Sequence, residues 1–238
     1  MRRIGFSTGA LARGDFRGAL RMLADKDANA VELSALRQEE LVPLIEAVES
    51  VDLSKFKYVS FHAPSSMEPA FEQTALKLLE GIALRRWPII VHPNVMFMRA
   101  EWERLGDCLC IENMDKRKPV GQTADDLTRI FAGLPDASFC FDIGHARQVD
   151  PTMSEAYSIL LRFGSRIRQI HVSEVNSQSH HDCLSAESIF AFQKISHLLP
   201  LDAPVILESR VEESAINHEI HNALEALSVR SLLASAGD

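Results

Sequence analysis

The sequence predicts an α/β fold, a single-domain (β/α)8 barrel of the TIM type spanning residues 1–238. Short apolar runs, typical of strands buried on both faces, alternate with longer amphipathic stretches along the chain. Eight such runs occur, and the length is close to the roughly 250 residues usual for this barrel. The alternative, a doubly wound open sheet, would usually carry a glycine-rich phosphate loop after its first strand, and residues 7–14 match that pattern poorly.

The strands are predicted at 3–8, 30–33, 58–62, 88–92, 108–112, 138–142, 167–172 and 204–208. Apolar periodicity places helices at 15–25, 39–49, 69–84, 185–199 and 213–233. Residues 98–105 have room for only about two helical turns. Thr123 is the expected cap of one helix, and Thr152 or Ser154 that of the next.

Composition indicates a globular protein, with 46% hydrophobic and 24% charged residues. The net charge of −8 argues against a general nucleic-acid-binding surface, although Lys116, Arg117 and Lys118 form a local basic cluster. The sequence contains no bilayer-spanning apolar run and no apolar signal segment, so we expect a cytoplasmic protein without a membrane partner. The four cysteines match neither a disulfide framework nor a zinc finger.

One stretch, at residues 138–147, organises the functional prediction. Its apolar residues form a strand that ends at Asp142, and we expect Gly144 to let the backbone turn so that His145 points back toward the same space. A buried carboxylate is costly unless it is paired, so this arrangement suggests a metal site or a catalytic pair. Alone, an aspartate in this position is more often a helix cap or turn former.

Polar side chains end seven of the predicted strands, separated by 30, 30, 20, 30, 29 and 37 residues. They are Glu32, His62, His92, Glu112, Asp142, His171 and Glu208. The carboxyl ends of all barrel strands face one mouth, so these groups are expected to line one cavity. Carboxylates clustered with imidazoles in one cavity suit a divalent metal of the zinc, manganese or iron kind.

Six motifs together resemble the xylose isomerase-like barrel superfamily, which contains sugar and sugar-phosphate isomerases and epimerases and the family 2 apurinic endonucleases. The motifs are Ser-Phe-His ending at His62, Ile-Val-His-Pro around His92, Cys-Ile-Glu-Asn around Glu112, Phe-Asp-Ile-Gly-His ending at His145, Ile-His-Val around His171 and Leu-Glu-Ser around Glu208. The resemblance covers nearly the whole chain, from Ile4 to Val211.

The resemblance implies metal ligands and substrate contacts. Its shared metal would be held by Glu112, Asp142, His171 and Glu208. His145 would contact substrate or a further metal, and the additional metals of the endonucleases would use His62, His92, His145 and His181. Ser179 stands where those endonucleases carry a ligating aspartate, which puts a complete three-metal site in doubt. Glu32 would orient substrate or a ligand.

The first functional hypothesis is a divalent-metal-dependent (Zn, Mn, Mg or Co) isomerase or epimerase of a sugar, sugar phosphate or related hydroxy-carbonyl compound. Glu112 and Glu208 would be base and acid across a metal-stabilised enediolate, with His145 on a substrate oxygen. A phosphate or carboxylate of the substrate could be held by Lys116, Arg117, Lys118 and Arg147, although a solvated charge run is the more common role of residues 116–118.

The alternative is a zinc-dependent phosphodiesterase or endonuclease, favoured by the many histidines and opposed by the acidic net charge and short connections. A third hypothesis is a barrel that binds a ligand without turnover. The expected partner is a small-molecule substrate rather than a nucleic acid, and assembly into a homo-oligomer is left open.

Overall fold

A computed structural model describes residues 2–229. Eight parallel strands close into a barrel in the order β1-β10-β7-β6-β5-β4-β3-β2, which confirms the predicted (β/α)8 fold. The barrel strands are β1 Ile4–Ser7, β2 Ala30–Ser34, β3 Tyr58–His62, β4 Ile89–Val91, β5 Leu109–Glu112, β6 Ser138–Asp142, β7 Ile167–Val172 and β10 Val205–Leu207. A separate antiparallel hairpin, β8 Glu174–Val175 and β9 His181–Asp182, follows β7.

The α-helices pack around the barrel. They are α1 Thr8–Ala12, α2 Phe16–Leu23, α3 Gln38–Ala47, α4 Glu72–Ala83, α5 Ala124–Ala132, α6 Ile143–Val149, α7 Ser154–Phe163, α8 Ala186–Gln193 and α9 Ile216–Ala226. Thr123 caps α5, as predicted, because its side chain accepts a hydrogen bond from the Asp126 N–H. Residues 230–233 of the last predicted helix lie outside the described part of the chain.

Several local predictions need correction. Residues Arg99–Cys108 form 3₁₀ turns rather than an α-helix, α1 was not predicted, and Met153 occupies the cap position of α7 instead of Thr152 or Ser154. Gly144 lies within α6 instead of making a turn. A Cβ there would come within 2.4 Å of the Ser173 carbonyl oxygen, so glycine is required for close packing of α6 against the chain after β7.

The core lies between the barrel and its helices. Fully buried aromatic side chains such as Phe6, Phe61, Phe139 and Phe141 come from the strands, as expected for a sheet covered on one face by helices and closed on the other. In the described part of the chain, no helix combines the length and apolar character needed to cross a bilayer.

Candidate metal centre

Four predicted ligands meet at the carboxyl-terminal mouth of the barrel. Glu112 and Asp142 are the last residues of β5 and β6, His171 is the penultimate residue of β7, and Glu208 directly follows β10. Strand pairing brings Asp142 opposite His171. One ligand atom from each of the four side chains lies within 4.8 Å of all the others. We call these four residues the carboxylate cluster.

Three atoms of the carboxylate cluster are buried without a hydrogen-bond partner among the described residues: Glu112 Oε1, Asp142 Oδ2 and His171 Nδ1. His171 Nδ1 lies 3.4 Å from Glu112 Oε1 and 3.6 Å from Glu208 Oε1. Buried polar atoms are rarely left unpaired because the loss of hydration is costly. Three carboxylates and one imidazole that converge in this way fit a divalent cation.

The His171 ring also has polar contacts at its Nε2 atom, the ring nitrogen that does not face the carboxylate cluster. Its Nε2 lies 3.1 Å from Glu32 Oε2, and Gln169 Nε2 donates to the same oxygen over 2.7 Å. A carboxylate on the outer nitrogen of a histidine fixes its tautomer and leaves the inner nitrogen free to bind a metal. Glu32 is fully buried beside His171 and is not part of the cavity wall, a position from which it could orient that histidine.

A second cluster shares Glu112. His62 Nε2 and His92 Nε2 each lie 3.2 Å from Glu112 Oε2, the oxygen that faces away from the carboxylate cluster. We call His62, His92 and Glu112 the histidine cluster, and their ligand atoms also lie within 4.8 Å of one another. Glu112 thus presents one oxygen to each cluster, which is the geometry of a carboxylate that can bridge two cations.

A third group contains Asp142, His145 and His181. The Asp142 side chain caps α6 by accepting from the His145 N–H, while His145 Nδ1 lies 2.9 Å from the Asn113 carbonyl oxygen. His181 is brought in by the β8–β9 hairpin. Ser179 is engaged elsewhere, since its hydroxyl accepts from Gln148 Nε2. Glu208 Oε2 lies 3.3 Å from His181 Nδ1, so this group adjoins the carboxylate cluster.

The surroundings shift the pKa values of these groups strongly. Burial raises the pKa of Glu208 to about 8 and lowers the pKa of His92 to about 4. Burial also acts to raise the pKa of Glu112, but His171 and His92 hold it well below its usual range. Burial lowers the pKa of His181 to about 3, so His92 and His181 are neutral at pH 7, the form in which imidazole binds metals.

A cavity of about 160 Å³ opens above the clusters. Its wall includes His62, His92, Glu112, His145, His181 and Glu208, together with Ser7, Ser65, Asp115, Arg117, Lys118 and Arg210. Asp142 and His171 lie beneath this surface and are fully buried. Glu208 keeps 15% of its side-chain surface exposed, which makes it the best placed carboxylate of the cluster to touch a ligand.

Two predicted substrate contacts lie away from the cavity. Arg147 pairs with Glu174 and Glu187, and Lys116 is exposed with its backbone N–H donating to Gln148. Arg117 and Lys118, which the sequence also offered as contacts for an anionic group, do line the cavity. Arg210 was missed in the sequence, where its position two residues after Glu208 was the only available signal.

Solved structures with the same barrel fold include two proteins named for a xylose isomerase domain and one epimerase. A xylose isomerase domain protein from Alicyclobacillus acidocaldarius aligns with a TM-score of 0.66 and 14% identity, over 95% of this chain and 98% of that one. A xylose isomerase domain-containing protein from Salmonella typhimurium gives 0.61 and 13%, over 94% and 97%. The 3-keto-D-glucoside 4-epimerase of E. coli gives 0.56 and 13%, over 93% and 98%.

No family model matches the sequence, and a search of curated proteins gives no significant match. At these identities the structural likeness concerns the fold. The chain therefore has the fold of the xylose isomerase-like barrels, as the six motifs predicted, with a mouth whose buried ligand atoms fit a divalent cation.

Proposed function

We propose that this protein is a divalent-metal-dependent isomerase or epimerase that acts on a sugar, a sugar phosphate or a related hydroxy-carbonyl compound. The observation that carries the proposal is the set of buried, unpartnered ligand atoms on Glu112, Asp142 and His171, completed by Glu208. Several proteins of the same fold are sugar epimerases by name, including D-psicose 3-epimerase. The expected ion is Zn, Mn, Mg or Co.

A divalent cation bound by the carboxylate cluster would stabilise negative charge that develops on adjacent substrate oxygens. Glu208 is the group placed to take or give a proton at a substrate carbon, because it borders the cavity and keeps part of its side chain exposed there. Glu112 would act on the opposite face, and His145 would hydrogen-bond a substrate oxygen.

The test is exchange of substrate C–H protons into deuterated water, measured by NMR for a panel of ketoses, aldoses and their phosphates with the metal-loaded protein. We expect at least one substrate to exchange at a carbon next to its carbonyl group, and Glu208→Gln to stop the exchange. Glu187→Gln is the matched control, since that carboxylate is exposed and pairs with Arg147 outside the cavity. Absence of exchange from the whole panel would contradict the proposal.

A second candidate function, a zinc-dependent phosphodiesterase, is favoured by one specific observation. Glu112 Oε2 faces His62 and His92 and points away from any substrate bound at the carboxylate cluster. This oxygen could therefore bind a second cation together with the two histidines. Two cations bridged by one carboxylate can activate a water and stabilise a leaving oxygen. The narrow cavity of about 160 Å³ favours a small phosphodiester over duplex DNA.

Hydrolysis of bis-nitrophenyl phosphate and of an abasic oligonucleotide by the zinc-loaded protein tests this second candidate. Activity that depends on His62 and His92, without proton exchange in sugars, would favour the phosphodiesterase. Proton exchange that survives His92→Ala would favour the isomerase, because the carboxylate cluster is complete without that histidine.

A further inference from the structure

The opposite end of the barrel holds a cavity of about 620 Å³, well above the volume of the cavity over the metal ligands. Its wall is made by the residues that precede or begin β1, β3, β4, β7 and β10, so it lies across the amino-terminal end of the barrel. We call it the basal cavity. Its volume falls within the range of small-molecule sites, about 300–1,000 Å³.

The lining of the basal cavity is strongly cationic in a chain of net charge −8. Four basic side chains, Arg3, Lys57, Arg86 and Arg168, face a single acidic residue, Asp202. Arg86 pairs with Asp107, which lies outside the cavity wall. Among residues 2–229, Arg3, Lys57 and Arg168 form no ion pair with a carboxylate. Cations gathered in a concave surface attract anions because their fields add within it.

Aromatic side chains complete the wall. Phe56, Tyr58 and Trp87 are half-buried there, and the Arg3 guanidinium lies 5.6 Å from the centre of the Tyr58 ring. The Tyr58 hydroxyl donates to Gln169 Oε1 over 2.8 Å, across the barrel interior from β3 to β7. This hydrogen bond lies between the basal cavity and the metal ligands, which makes the two sites separate.

We propose that the basal cavity binds an organic anion that carries phosphate groups and a flat ring. Arg and Lys side chains without carboxylate partners would hold the phosphate oxygens, and the aromatic wall would contact the organic part. Inorganic phosphate alone would leave most of the volume unfilled. The proposal does not depend on the reaction at the mouth of the barrel.

The test uses ATP as the probe, with EDTA present so that phosphate cannot be held by a metal at the other site. Binding is followed by calorimetry and by tryptophan fluorescence. Trp87 borders the cavity, and the other tryptophan, Trp102, is fully buried and donates to Glu72. We expect one ATP per chain, a fluorescence change that disappears in Trp87→Phe, and adenosine to bind at least about tenfold more weakly because it lacks the charged groups.

The charge-reversed variants Lys57→Glu and Arg168→Glu are expected to weaken ATP binding about tenfold or more each. Lys77→Glu is the matched control, an exposed lysine on α4 with the same change of charge, and it should bind ATP as the wild type does. All three positions are exposed, so the variants should fold. No saturable binding at millimolar ATP, equal binding of adenosine, or equal loss in Lys77→Glu would overturn the proposal.

Discussion

The carboxylate cluster and the histidine cluster share Glu112 but differ in what surrounds them. The first draws its ligands from β5, β6, β7 and the end of β10 and is backed by Glu32 and Gln169. The second draws His62 and His92 from β3 and β4, and its histidines border the cavity. From this difference we propose that the carboxylate cluster is the main cation site and that the histidine cluster could add ligands for a second cation.

The largest effect is expected from Glu112→Gln, because this change removes the charge shared by both clusters. The variant should lose activity and the rise in melting temperature that added Zn²⁺ or Mn²⁺ gives the wild type. Thermal shift with and without metal measures this. Glu72→Gln is the control, a buried glutamate that accepts from Met98 and Trp102 far from the site. It should lower the melting temperature and keep the metal response.

Glu208→Gln should lower activity by about two to four orders of magnitude, the usual contribution of a general acid or base. The fold should persist, because Glu208 borders the cavity and removal of a desolvated carboxylate carries no packing loss. Turnover assays measure the loss of activity, and circular dichroism shows whether the fold persists. Full activity in this variant would remove Glu208 from the proposed chemistry.

The variant His92→Ala tests whether the two clusters bind cations independently. It should leave metal binding at the carboxylate cluster intact while it removes a second cation, if one is bound, from the histidine cluster. Metal titration by calorimetry gives the number of sites, and His197→Ala, an exposed histidine, serves as the control. Loss of every metal in His92→Ala would mean that the two clusters do not bind independently.

The smallest effect is expected from Asp115→Asn at the cavity rim. Burial acts to raise the pKa of Asp115, but hydrogen bonds from Arg117 lower it to about 2. A lowered folded-state pKa stabilises the protein above the unfolded value near 4, and this contribution is lost as pH falls toward 2. Since Arg117 is largely exposed, the variant should lose only about 0.5–1 kcal/mol at pH 7. Urea denaturation from pH 6 to 3 should show the difference shrinking.

The residues at the strand ends are the part of the site whose positions could be predicted from the sequence. Apolar runs end where the barrel meets solvent, so Glu112, Asp142 and His171 could be assigned to the mouth from the sequence alone. The positions of cations beyond the strand ends could not be predicted in this way. Arg147 turns to Glu174 and Glu187, partners distant in sequence, and nothing local distinguishes Lys116 from the cavity-lining Lys118.

Glu32 shows a second limit of prediction from sequence, which concerns the residues that a buried side chain contacts. It was predicted to end its strand and line the cavity, but β2 continues to Ser34, and the Glu32 side chain is buried against Gln169 and His171 from a strand across the barrel interior. The contact with His171 Nε2 could not be predicted from the sequence, and a role of Glu32 in orienting a ligand stays a prediction. The extent of the domain over residues 1–238 and assembly into a homo-oligomer stay predictions.

The metal content of the purified, gel-filtered protein, measured by plasma mass spectrometry after reloading with Zn²⁺ or Mn²⁺, tests the central claim most directly. We predict at least one ion per chain that survives gel filtration. A protein that retains no divalent ion after reloading would contradict the assignment of Glu112, Asp142, His171 and Glu208 as a cation site.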